Sequence, residues 1–588
     1  MKYREVIPLK QRPDWSVTLP GSKSITNRAF LCAVLANGKS RIFGALESDD
    51  TKVMLEALKQ LGIGVEEKSD HIIIDGRAGG MDSFNLELNL HNAGTATRFL
   101  TALMVLRNGE TIITGDKRMQ DRPIKDLVEG LRQIGADIEY LGNEGCPPLR
   151  ILNSQFSIFN KNEYLIKMKG DKSSQYFSAL MMIGPILDRS LKIEVIGDLV
   201  SKPYIDITLA TLKQFGIEVK NENYQSFIIE PQTYQATDFY VEGDASAASY
   251  WTSIAFLHEG KVEFTNLTKK SIQGDIGYEE TLIRQRQGIV NMEDMPDVAM
   301  TLAVTAPFID GGTKITGLST LRIKETDRLA ALEAELKKIG VKVSTTKDSI
   351  TVNGVPRRRD WPIAPSGNIS TYNDHRMAMC FAVVGTKLPG VVIEDPDCTE
   401  KTYPNFWKDL ELAYLSPIKL GKKNLVLTGM RCSGKTRYGK MIAKFLNREF
   451  VDIDDEIERQ KNMKIPEIVK RYGWPRFREV EQQICSQYYD VQNLVIATGG
   501  GVVLDEKNMK SLKKNGVNIF IFSDPNEIIN RIGKKSQTRP SLTGKKPEEE
   551  IFDIWKERRD LYLKYADVVW DNTSGEVLEE SIDNIFLV

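Results

Sequence analysis

A glycine-rich loop near residue 430 constrains what this chain can fold into more than any other segment. Residues 429–436 read GMRCSGKT and match the pattern G-x-x-x-x-G-K-[ST]. An apolar run at 425–427 precedes the loop, and apolar residues recur at helical spacing over 438–446. This order predicts a strand, a phosphate-binding loop and a helix, and hence an α/β domain that binds a nucleotide. About 420 residues precede the loop, enough for a second large body.

The loop pattern gives roles to its own residues. Glycines let backbone N–H groups turn toward phosphate oxygens, Lys435 reaches the outer phosphates, and Thr436 offers its hydroxyl to Mg²⁺. We expect nucleotide contacts from Gly429, Arg431, Cys432, Ser433, Gly434, Lys435 and Thr436. Asp452 and Asp454 follow a later apolar run, and such a pair either caps a helix or serves Mg²⁺ and an acceptor hydroxyl.

Composition and charge exclude several classes of protein. The 588 residues are 41% hydrophobic and 27% charged, as in a soluble globular protein with about three or four domains' worth of core. A net charge of −1 provides no general attraction for nucleic acid or anionic membranes. The N-terminus lacks an apolar signal segment, and no run is long enough to cross a membrane. Six scattered cysteines without C-x-x-C predict a reducing, cytoplasmic location without a disulfide framework or structural zinc site.

A helix–glycine–strand unit recurs through the first 420 residues. Strings such as LKQLGI at 58–63 and LRQIGA at 131–136 return at 212–217 and 336–341, and more weakly at 285–289. Each reads as the end of an amphipathic helix, with glycine in the left-handed position after it. Most gaps between these glycines are about 75 residues, which predicts a repeated α/β subdomain rather than a solenoid. The string LKKNG at 512–516 carries a similar local signal.

Small hydroxyl residues, arginines and lysines cluster in several segments of the same region. The segments are 19–28, 92–98, 122–123, 173–175, 201–204, 324–328 and 373–376, followed by Lys401. One such segment alone is usually a solvated face or a helix cap. Together they have the composition of a site for phosphate and carboxylate groups.

The motifs LPGSKS, NAGTA, KETDRL and YNDHRMAM stand in this order, and with them residues 1 to about 415 resemble 5-enolpyruvylshikimate-3-phosphate synthase. The resemblance implies an α/β fold of two lobes, each made of three βαβαββ units, which agrees with the repeat. It places the second lobe at about 21–240 and the first lobe at 1–20 plus 241–418. The main alternative is the enolpyruvyl transferase of the same fold that acts on UDP-N-acetylglucosamine. That family carries a catalytic cysteine just upstream of an Arg-Pro pair, and residues 115–122 contain none.

The resemblance implies transfer of the enolpyruvyl group of phosphoenolpyruvate to the 5-hydroxyl of shikimate 3-phosphate, with loss of phosphate and without a cofactor. Asp297 would be the base for the hydroxyl, and Glu325 would move the proton at the methylene carbon. Two carboxylates among several cations can do both if their pKa values are pushed apart. We expect the cationic cleft to close over its two anionic substrates.

The same resemblance implies which residues bind the substrates. For shikimate 3-phosphate they are Ser173, Ser174 and Ser201 at the phosphate, and Lys23, Ser24, Arg28, Gln175 and Tyr204 around the ring. For phosphoenolpyruvate they are Lys23, Arg98, Arg122 and Lys401 at the phosphate, and Arg328 with Arg376 at the carboxylate. Asn92, Gly94, Thr95, Lys324 and His375 belong to the same predicted site, in which Lys23 and Lys401 count among the catalytic groups.

Four residues depart from the usual pattern of that family. Thr97 and Phe99 stand where Met and Pro are usual, His91 replaces a Gly, and Thr320 stands where Asn is common. The Phe99 position lies on the helix behind the phosphate site for phosphoenolpyruvate. We therefore expect altered affinity for phosphoenolpyruvate or for inhibitors that mimic it.

The loop at 429 is followed in order by the Asp-x-Asp pair, FRE at 477–479, TGGG at 498–501, TRP at 538–540 and ERRDLY at 557–562. With this order and spacing, residues from about 420 to 588 resemble shikimate kinase, which implies a P-loop kinase domain with a parallel sheet flanked by helices. The resemblance also implies phosphorylation of the 3-hydroxyl of shikimate by ATP with Mg²⁺, with Asp452 supporting Mg²⁺ and Asp454 holding the shikimate hydroxyls. Arg478 and Arg558 would bind the carboxylate, Gly499, Gly500 and Gly501 would line the ring, Arg531 would pack on adenine, and Arg539 would close with a lid near 534–545. The alternative is a nucleotide or gluconate kinase, and Cys432 stands where this family usually has Gly.

These patterns predict two domains, 1–418 and 419–588, in one bifunctional enzyme of the shikimate pathway. The expected partners are small molecules: shikimate, ATP, shikimate 3-phosphate and phosphoenolpyruvate, with no nucleic acid and no membrane. The alternative is that only one half is catalytic and the other is a degenerate regulatory or structural module. Intact Lys435 and Asp454 in one half, and Asp297 and Glu325 in the other, argue against it.

Overall fold

The computed structural model describes residues 2–77, 80–81, 84–152, 163–284, 288–355, 368–415, 418–533, 546–575 and 586–587. Helices and strands alternate over these ranges, which confirms the predicted α/β class. None of the helices found in these ranges is both long and apolar enough to cross a membrane. We call residues 2–415 the N-terminal part and residues 418–587 the C-terminal part.

The elements of the N-terminal part are numbered in chain order. Its strands are β1 (Tyr3–Val6), β2 (Asp14–Val17), β3 (Asn37–Phe43), β4 (Gly64–Glu67), β5 (His71–Arg77), β6 (Leu86–Asn89), β7 (Thr111–Thr114), β8 (Ile138–Tyr140), β9 (Leu149–Ile151), β10 (Glu163–Lys169), β11 (Ser190–Ile196), β12 (Lys220–Glu222), β13 (Ser226–Ile229), β14 (Asp238–Tyr240), β15 (Lys261–Phe264), β16 (Ile289–Asn291), β17 (Thr313–Thr316), β18 (Val343–Thr345), β19 (Ile350–Val352), β20 (Asn368–Ile369) and β21 (Val391–Glu394). Its α-helices are α1 (Lys23–Leu35), α2 (Asp49–Gln60), α3 (Gly94–Met104), α4 (Lys125–Gln133), α5 (Ser174–Ile183), α6 (Lys202–Gln214), α7 (Ala245–Leu257), α8 (Tyr278–Arg284), α9 (Ala299–Thr305), α10 (Arg328–Lys338), α11 (His375–Gly385) and α12 (Phe406–Ala413).

Three sheets between residues 37 and 240, which we call the second lobe, share one topology. β6 and β7 are parallel, and β9 lies antiparallel between β7 and β8. β10, β11, β13 and β12 repeat this arrangement, so with their crossover helices the two sheets are βαβαββ units, as predicted. The third sheet has the order β14-β3-β5-β4 and takes its first strand from the far end of the lobe. The chain therefore leaves the lobe near its point of entry, where Gly21 pairs with Gly243.

The rest of the N-terminal part, which we call the first lobe, is built from both ends of the segment. β16-β17-β19-β18 repeats the four-stranded topology, while β1-β21-β20 and β15-β2 are shorter sheets. Because β1 pairs with β21 and β2 with β15, the start of the chain is built into sheets whose other strands come much later. The apolar core of the first lobe continues into the C-terminal part, whereas the second lobe has a core of its own.

The repeated glycines have the left-handed conformation that was predicted for them. Gly62, Gly135, Gly216, Gly288 and Gly340 all have positive φ, between 77° and 101°. After the first of them, the amide of Ile63 donates to the carbonyl of Leu58 at 3.1 Å. This hydrogen bond is typical of a Schellman motif, which satisfies carbonyls that the helix leaves free. The similar string at 512–516 differs, because its glycine begins a strand.

The described residues of the C-terminal part form a five-stranded parallel sheet and a separate parallel pair of strands. The strands are β22 (Ile418–Lys419), β23 (Asn424–Thr428), β24 (Glu449–Asp452), β25 (Leu494–Ala497), β26 (Gly516–Phe522), β27 (Val568–Asp571) and β28 (Phe586–Leu587), and the helices are α13 (Lys435–Phe445), α14 (Ile453–Lys461), α15 (Ile465–Gln487), α16 (Glu506–Lys513), α17 (Pro525–Gly533) and α18 (Pro547–Tyr565). Five strands follow the order β24-β25-β23-β26-β27 and are all parallel, as predicted, and β22 pairs with β28. The chain winds to one side of β23 first and to the other side afterwards. The loop after β23 therefore opens at the sheet edge where parallel sheets bind ligands.

Candidate active sites

Six helices of the N-terminal part begin around a cleft between the two lobes. They are α1, α3, α5, α6, α10 and α11, and residues of their first turns line a cavity of about 80 Å³. Helix N-termini carry free N–H groups and partial positive charge, which attract anions. The cleft is therefore electropositive through its backbone as well as through its basic side chains.

Most of the residues predicted for this site line the cleft. They are Lys23, Ser24, Gly94, Thr95, Arg98, Arg122, Ser173, Ser174, Gln175, Ser201, Tyr204, Asp297, Lys324, Glu325, Arg328, His375 and Arg376. Asn92 and Lys401 lie beside the cleft. The Lys401 ammonium group donates a hydrogen bond to the Asn92 carbonyl at 3.1 Å. Segments that are up to about 375 residues apart in the chain therefore meet at one place.

Two serines form one end of the cleft in the second lobe. Ser173 caps α5, and its hydroxyl accepts a hydrogen bond from the Gln175 amide at 3.3 Å. Ser201 precedes α6 with a φ of 56°, a left-handed conformation that is uncommon for serine. The Gln175 side chain donates to the Thr95 hydroxyl at 3.2 Å and so ties α5 to α3. Hydroxyl groups beside two helix starts make this end suitable for a phosphate.

Two arginines lie at the start of α3. Arg122 donates to the main-chain and side-chain oxygens of Asn92 at 3.2 and 3.1 Å. A Cβ at Gly94 would lie 2.5 Å from Arg122 Nη2, so this approach requires glycine. Arg98 donates to the carbonyls of Gly94 and Pro123 at 2.8 and 2.9 Å, and burial lowers its pKa to about 10. Because these hydrogen bonds go to uncharged oxygens, much of the positive charge is left for an anion.

The Asp297 carboxylate lies among three cations and a phenol. Arg328 and Arg376 each approach one of its oxygens at 3.3 Å, and Lys324 lies at 3.7 Å. The Tyr204 hydroxyl donates a hydrogen bond to the carboxylate at 2.8 Å. Burial alone would raise the pKa of Asp297, but the three cations outweigh burial and hold the pKa well below its ordinary value.

Glu325 lies next to the same arginine. Arg328 donates to it at 2.9 Å, and Lys401 and Arg122 lie 3.5 and 4.0 Å away. Burial opposes ionisation, yet these cations hold the pKa of Glu325 well below its ordinary value. The surrounding cations thus favour the ionised form of both Asp297 and Glu325 in this structure.

The two lobes touch across the cleft. Arg118 of the second lobe donates to the carbonyls of Lys324 and Glu325 at 2.7 and 3.0 Å. The hydrogen bond from Tyr204 to Asp297 also joins the lobes. Closure of the two lobes over a small ligand requires contacts of this kind beside the predicted catalytic residues.

The loop at 429–436 joins β23 to α13 and lines a pocket of about 640 Å³ in the C-terminal part. The ammonium group of Lys435 donates back to the carbonyls of Gly429 and Met430 at 2.8 and 2.7 Å. Cys432 has a φ of 63° and also lines the pocket. The loop therefore has the predicted strand–loop–helix setting.

The Asp-x-Asp pair caps a helix, one of its two predicted roles, and both residues line the pocket. Asp452 caps α14 by accepting a hydrogen bond from the Asp454 amide at 3.0 Å. The Thr436 hydroxyl donates to Asp452 at 2.8 Å, so a hydroxyl and a carboxylate lie together at the pocket. Over the described ranges no group of three or more His, Cys, Asp or Glu side chains could hold a metal ion. Mg²⁺ at a phosphate site commonly uses only one or two protein ligands together with substrate phosphates, so this oxygen pair fits it.

The glycine turn at 499–501 lies between three other predicted residues. A Cβ at its first glycine would lie 2.6 Å from Asp454 Oδ1, and one at its third glycine would lie 2.0 Å from Arg478 Nη2. Arg558 donates to the carbonyl of the middle glycine at 3.2 Å. A side chain at either glycine would therefore displace a charged group that approaches the backbone of the turn.

Arg531 forms another wall of the pocket together with residues 572–575, which we call the 572–575 loop. Arg531 donates to two carbonyls of this loop at 3.0 Å each. The Asn572 side chain donates to the carbonyl of Ser433 at 2.9 Å, and Tyr438 donates to the last carbonyl of the loop at 2.8 Å. This loop was not predicted from the sequence, although the string DNTSG after an apolar strand is a recognisable turn signal.

Residues 10–410, more than half of the chain, match the family model of EPSP synthase (3-phosphoshikimate 1-carboxyvinyltransferase). The 3-phosphoshikimate 1-carboxyvinyltransferase of Photobacterium profundum is 44% identical over 418 residues, which cover 67% of this chain and 95% of that protein. The corresponding Sulfurovum protein is 43% identical over 421 residues, which cover 68% of this chain and 96% of that protein. The chain belongs to the EPSP synthase family.

A second family model, that of shikimate kinase, matches residues 431–586. An EPSP synthase structure from Acinetobacter baumannii is similar with a TM-score of 0.57 and 22% identity, over 69% of this chain and 97% of that one, which supports the fold. The chain is therefore a bifunctional enzyme of the shikimate pathway, with an EPSP synthase part (residues 2–415) and a shikimate kinase part (residues 418–587). The predictions of family, fold and function are confirmed.

Arg28 is not on the wall of the EPSP synthase cleft, although it was predicted to place the substrate ring. Its guanidinium is buried and donates to the hydroxyls of Thr208 and Ser178 at 2.7 and 3.1 Å. It also lies 5.4 Å from the centre of the Phe99 ring. One of the residues that depart from the family pattern therefore packs on an arginine behind the cleft.

Two other departures share a backbone explanation. His91 in the EPSP synthase part and Cys432 in the shikimate kinase part replace glycines, and they have φ values of 46° and 63°. Both are in the left-handed region, which glycine adopts without strain.

Thr320 lines the cleft with a hydroxyl that has no hydrogen-bond partner within the described part of the chain. Thr97 donates its hydroxyl to the Ala93 carbonyl at 3.0 Å inside α3.

Asp50 is a cleft residue that no sequence motif indicated. It accepts a hydrogen bond from Lys23 at 3.4 Å and faces Lys401 at 3.9 Å. In the sequence it is one of two acidic residues in the first turn of α2, where acidic side chains are common.

The predicted Arg539 and the lid near 534–545 lie outside the described residues.

Proposed function

We propose that the shikimate kinase domain, residues 419–588, transfers the terminal phosphoryl group of ATP to the 3-hydroxyl of shikimate with Mg²⁺. The EPSP synthase domain, residues 1–418 with its second lobe at about 21–240, then transfers the enolpyruvyl group of phosphoenolpyruvate to the 5-hydroxyl of that product and releases phosphate. The observation that carries this proposal is the pair of carboxylates, Asp297 and Glu325, among cations from both lobes. Chain order is then the reverse of reaction order.

Shikimate 3-phosphate binds with its phosphate at Ser173, Ser174 and Ser201. The two helix starts and the Ser173 cap support this assignment, because they offer hydroxyl and amide donors at one place. Gln175 and Tyr204 lie beside these serines on the cleft wall and contact the ring.

Phosphoenolpyruvate binds between the lobes, with its phosphate near Arg98, Arg122 and Lys401 and its carboxylate near Arg328 and Arg376. The carbonyl-bound arginines at α3 keep charge available for the phosphate. His375 is buried, and within the described residues neither of its ring nitrogens has a hydrogen-bond partner. A buried polar group without a partner is costly, so a ligand in the cleft would stabilise it.

Asp297 accepts the proton of the 5-hydroxyl while the oxygen forms a bond to C2 of phosphoenolpyruvate and C3 gains a proton. Loss of phosphate from C2 and of a proton from C3 then restores the double bond. Glu325 carries the proton to and from C3, which requires a higher pKa than it has in this structure. The bound phosphate and carboxylate groups supply this change, because they offset Arg328, Arg122 and Lys401.

In the shikimate kinase domain, the loop N–H groups and Lys435 hold the phosphates, and Thr436 with Asp452 holds Mg²⁺. Asp454 binds the shikimate hydroxyls and orients the attacking one, while Arg478 and Arg558 bind the carboxylate. Their convergence on the glycine turn at 499–501 supports this assignment. ATP supplies the phosphoryl group and Mg²⁺ offsets its charge during transfer.

The six cysteines are free, which supports a cytoplasmic location.

A coupled assay with the full chain tests both assignments. Shikimate, Mg·ATP and phosphoenolpyruvate are supplied together, and products are followed for the wild type, Lys435→Ala and Glu325→Gln. We expect Lys435→Ala to lose phosphorylation by about 100-fold or more while it still consumes added shikimate 3-phosphate. Glu325→Gln should accumulate shikimate 3-phosphate.

Matched controls lie within ten residues of each change. Lys440 is an exposed residue of α13, and Glu333 of α10 is partly exposed and accepts a hydrogen bond from Lys337 at 2.6 Å. Neither lines a cavity described above, so Lys440→Ala and Glu333→Gln should leave both activities unchanged. Wild-type rates in Lys435→Ala and Glu325→Gln would show that the assigned roles are wrong.

A further inference from the structure

The contact between the two parts lies next to the nucleotide pocket of the kinase. On the EPSP synthase side it is formed by β1 and α12, and on the kinase side by β27, α17 and α18. The Glu5 amide donates to Asp524, the residue before α17, at 3.1 Å. The Trp555 indole of α18 donates to the Glu5 carboxylate at 2.6 Å. β1 is thus bound to the start of α17 and to α18, the two described helices between β26 and β27 in the chain.

A buried group of charges crosses this contact. Arg4 of β1 approaches Glu411 of α12 at 2.6 Å and Asp571, the last residue of β27, at 3.1 Å. The Glu411 side chain is fully buried, and those of Asp571 and Arg4 are 5% and 13% exposed. Removal of one member from a buried charge pair is strongly destabilising, because the other is left without a partner. The group therefore fixes the end of β27 relative to the EPSP synthase part.

The same two carboxylates hold the 572–575 loop. The Ser574 amide lies 3.2 and 3.4 Å from the two Glu411 oxygens, and the Ser574 hydroxyl donates to one of them. Asp571 accepts hydrogen bonds from the Thr573 amide and hydroxyl at 3.1 and 2.6 Å. The charge group thus holds Thr573 and Ser574, and the same loop lines the nucleotide pocket through Asn572, Ser574 and Gly575.

We infer that Arg4 and Glu411 of the EPSP synthase part are positioning residues of the kinase, which hold the 572–575 loop in the conformation that receives the nucleotide. They act through Asp571 and Ser574, and neither of them lines the pocket. The inference rests on the kinase function proposed above. It means that the kinase nucleotide site is completed by the other enzyme of the chain, rather than merely tethered to it.

The test measures steady-state kinetics of the full chain in the variants Glu411→Gln and Ser574→Ala. Loss of the Glu411 carboxylate, or of the Ser574 hydroxyl, leaves the loop with fewer hydrogen bonds. We expect the KM for ATP to rise about 3- to 10-fold, as for the loss of one ordinary hydrogen bond. The KM for shikimate should stay unchanged. The EPSP synthase activity of the same polypeptide should also be unchanged, which reports that the variant is folded.

Gln11→Ala is the matched control. Gln11 joins the two parts through the main chain of Tyr414 and Val569, with 3.4 and 3.5 Å contacts at Val569, and does not touch the loop. It should lower the unfolding temperature but not change the KM for ATP. An unchanged KM for ATP in Glu411→Gln and Ser574→Ala, or an equal rise in Gln11→Ala, would overturn the inference. A wild type without shikimate kinase activity would overturn the proposed function as well.

Discussion

In the EPSP synthase cleft, Arg328 donates to Asp374 at 2.7 Å and to Glu325 at 2.9 Å, and it lies 3.3 Å from Asp297. In the shikimate kinase pocket, Lys435 donates to two carbonyls of its own loop. The cleft encloses about 80 Å³ and the pocket about 640 Å³. The first site therefore holds Arg328 with three carboxylates in a narrow space, and the second holds Lys435 with the backbone beside an open space.

This difference shows two ways to prepare a site for phosphate groups. A buried cation such as Arg328 is stabilised by buried carboxylates, and a carboxylate held among cations can also move protons. A glycine-rich loop binds phosphate mainly through neutral N–H groups and needs few countercharges. The cleft should therefore be sensitive to the loss of one carboxylate, and the pocket much less so.

Asp374→Asn tests the cleft and has the largest expected effect. Asp374 is buried and accepts hydrogen bonds from Arg328 at 2.7 and 3.2 Å, so its loss leaves a buried cation short of charge. We expect a destabilisation of about 3–5 kcal/mol and loss of EPSP synthase activity, with kinase activity retained. Urea unfolding and separate assays of the two activities measure these effects.

Glu481→Gln is the matched change in the kinase. Glu481 is buried and accepts a hydrogen bond from Arg478 at 2.6 Å, but burial raises the pKa of Glu481, so its charge is already disfavoured. The variant should lose about 1 kcal/mol or less. A loss as large as that of Asp374→Asn would contradict the distinction between the two sites.

Glu5 lies at the contact between the two parts, and it extends the comparison to the pH dependence of stability. Burial raises the pKa of Glu5 from 4.5 to about 7, although Trp555 and Arg559 oppose this. The folded chain therefore binds this proton more tightly than the unfolded chain. The resulting stability is fully present below pH 4.5 and is lost as the pH rises through 7.

The variant Glu5→Gln cannot ionise and should lose less stability between pH 5 and pH 8. The wild type should lose about 1–3 kcal/mol more than the variant over this interval, measured from urea midpoints. The same pH dependence in both proteins would assign the effect to other groups.

Proton uptake on substrate binding tests the role of Glu325 as the proton carrier. A substrate anion beside Arg328, Arg122 and Lys401 should raise the depressed pKa of Glu325, so that a fraction of a proton is taken up on binding. Calorimetric titration of phosphoenolpyruvate at pH 5.5, in buffers of different ionisation enthalpy, measures this uptake. It should be smaller in Glu325→Gln, and equal uptake would exclude Glu325 as the proton carrier.

Cys432→Gly has the smallest expected effect. The φ of 63° at Cys432 strains any residue except glycine. Glycine should stabilise the kinase by up to about 1 kcal/mol, seen as a slightly higher unfolding temperature. The KM for ATP should change less than about twofold, since the loop N–H groups keep their positions. His91→Gly is the corresponding change outside this loop.

The two sites also differ in how far they could be predicted. The kinase loop was predicted from consecutive residues, because a strand, a glycine-rich turn and a helix are local structures. The helix-ending glycines were predicted for the same reason, and all five have positive φ. In the EPSP synthase part, composition indicated an anion site, but the roles of individual residues came only from a family resemblance. No local pattern places Asp297 beside Arg376 or Asp50 beside Lys23.

Some features were not predicted even by resemblance. Arg28 was expected at the substrate ring, but two hydroxyls and a phenylalanine ring hold it behind the cleft. The 572–575 loop and the charge group at Arg4 were not expected at all. A turn and a basic residue near a chain terminus are common in any sequence, and only their neighbours give them a role.

The α/β class, the order of the two enzymes, the repeated unit and the phosphate-binding loop all follow from the amino-acid sequence. These features depend on backbone propensities and on hydrogen bonds between residues close in the chain. The folded arrangement was needed to learn which charges pair, how deeply they are buried and therefore how they titrate. It was also needed to learn that Glu411 of one enzyme binds a loop of the other. Burial and pairing depend on groups that the chain brings together from a distance, and no local pattern encodes them.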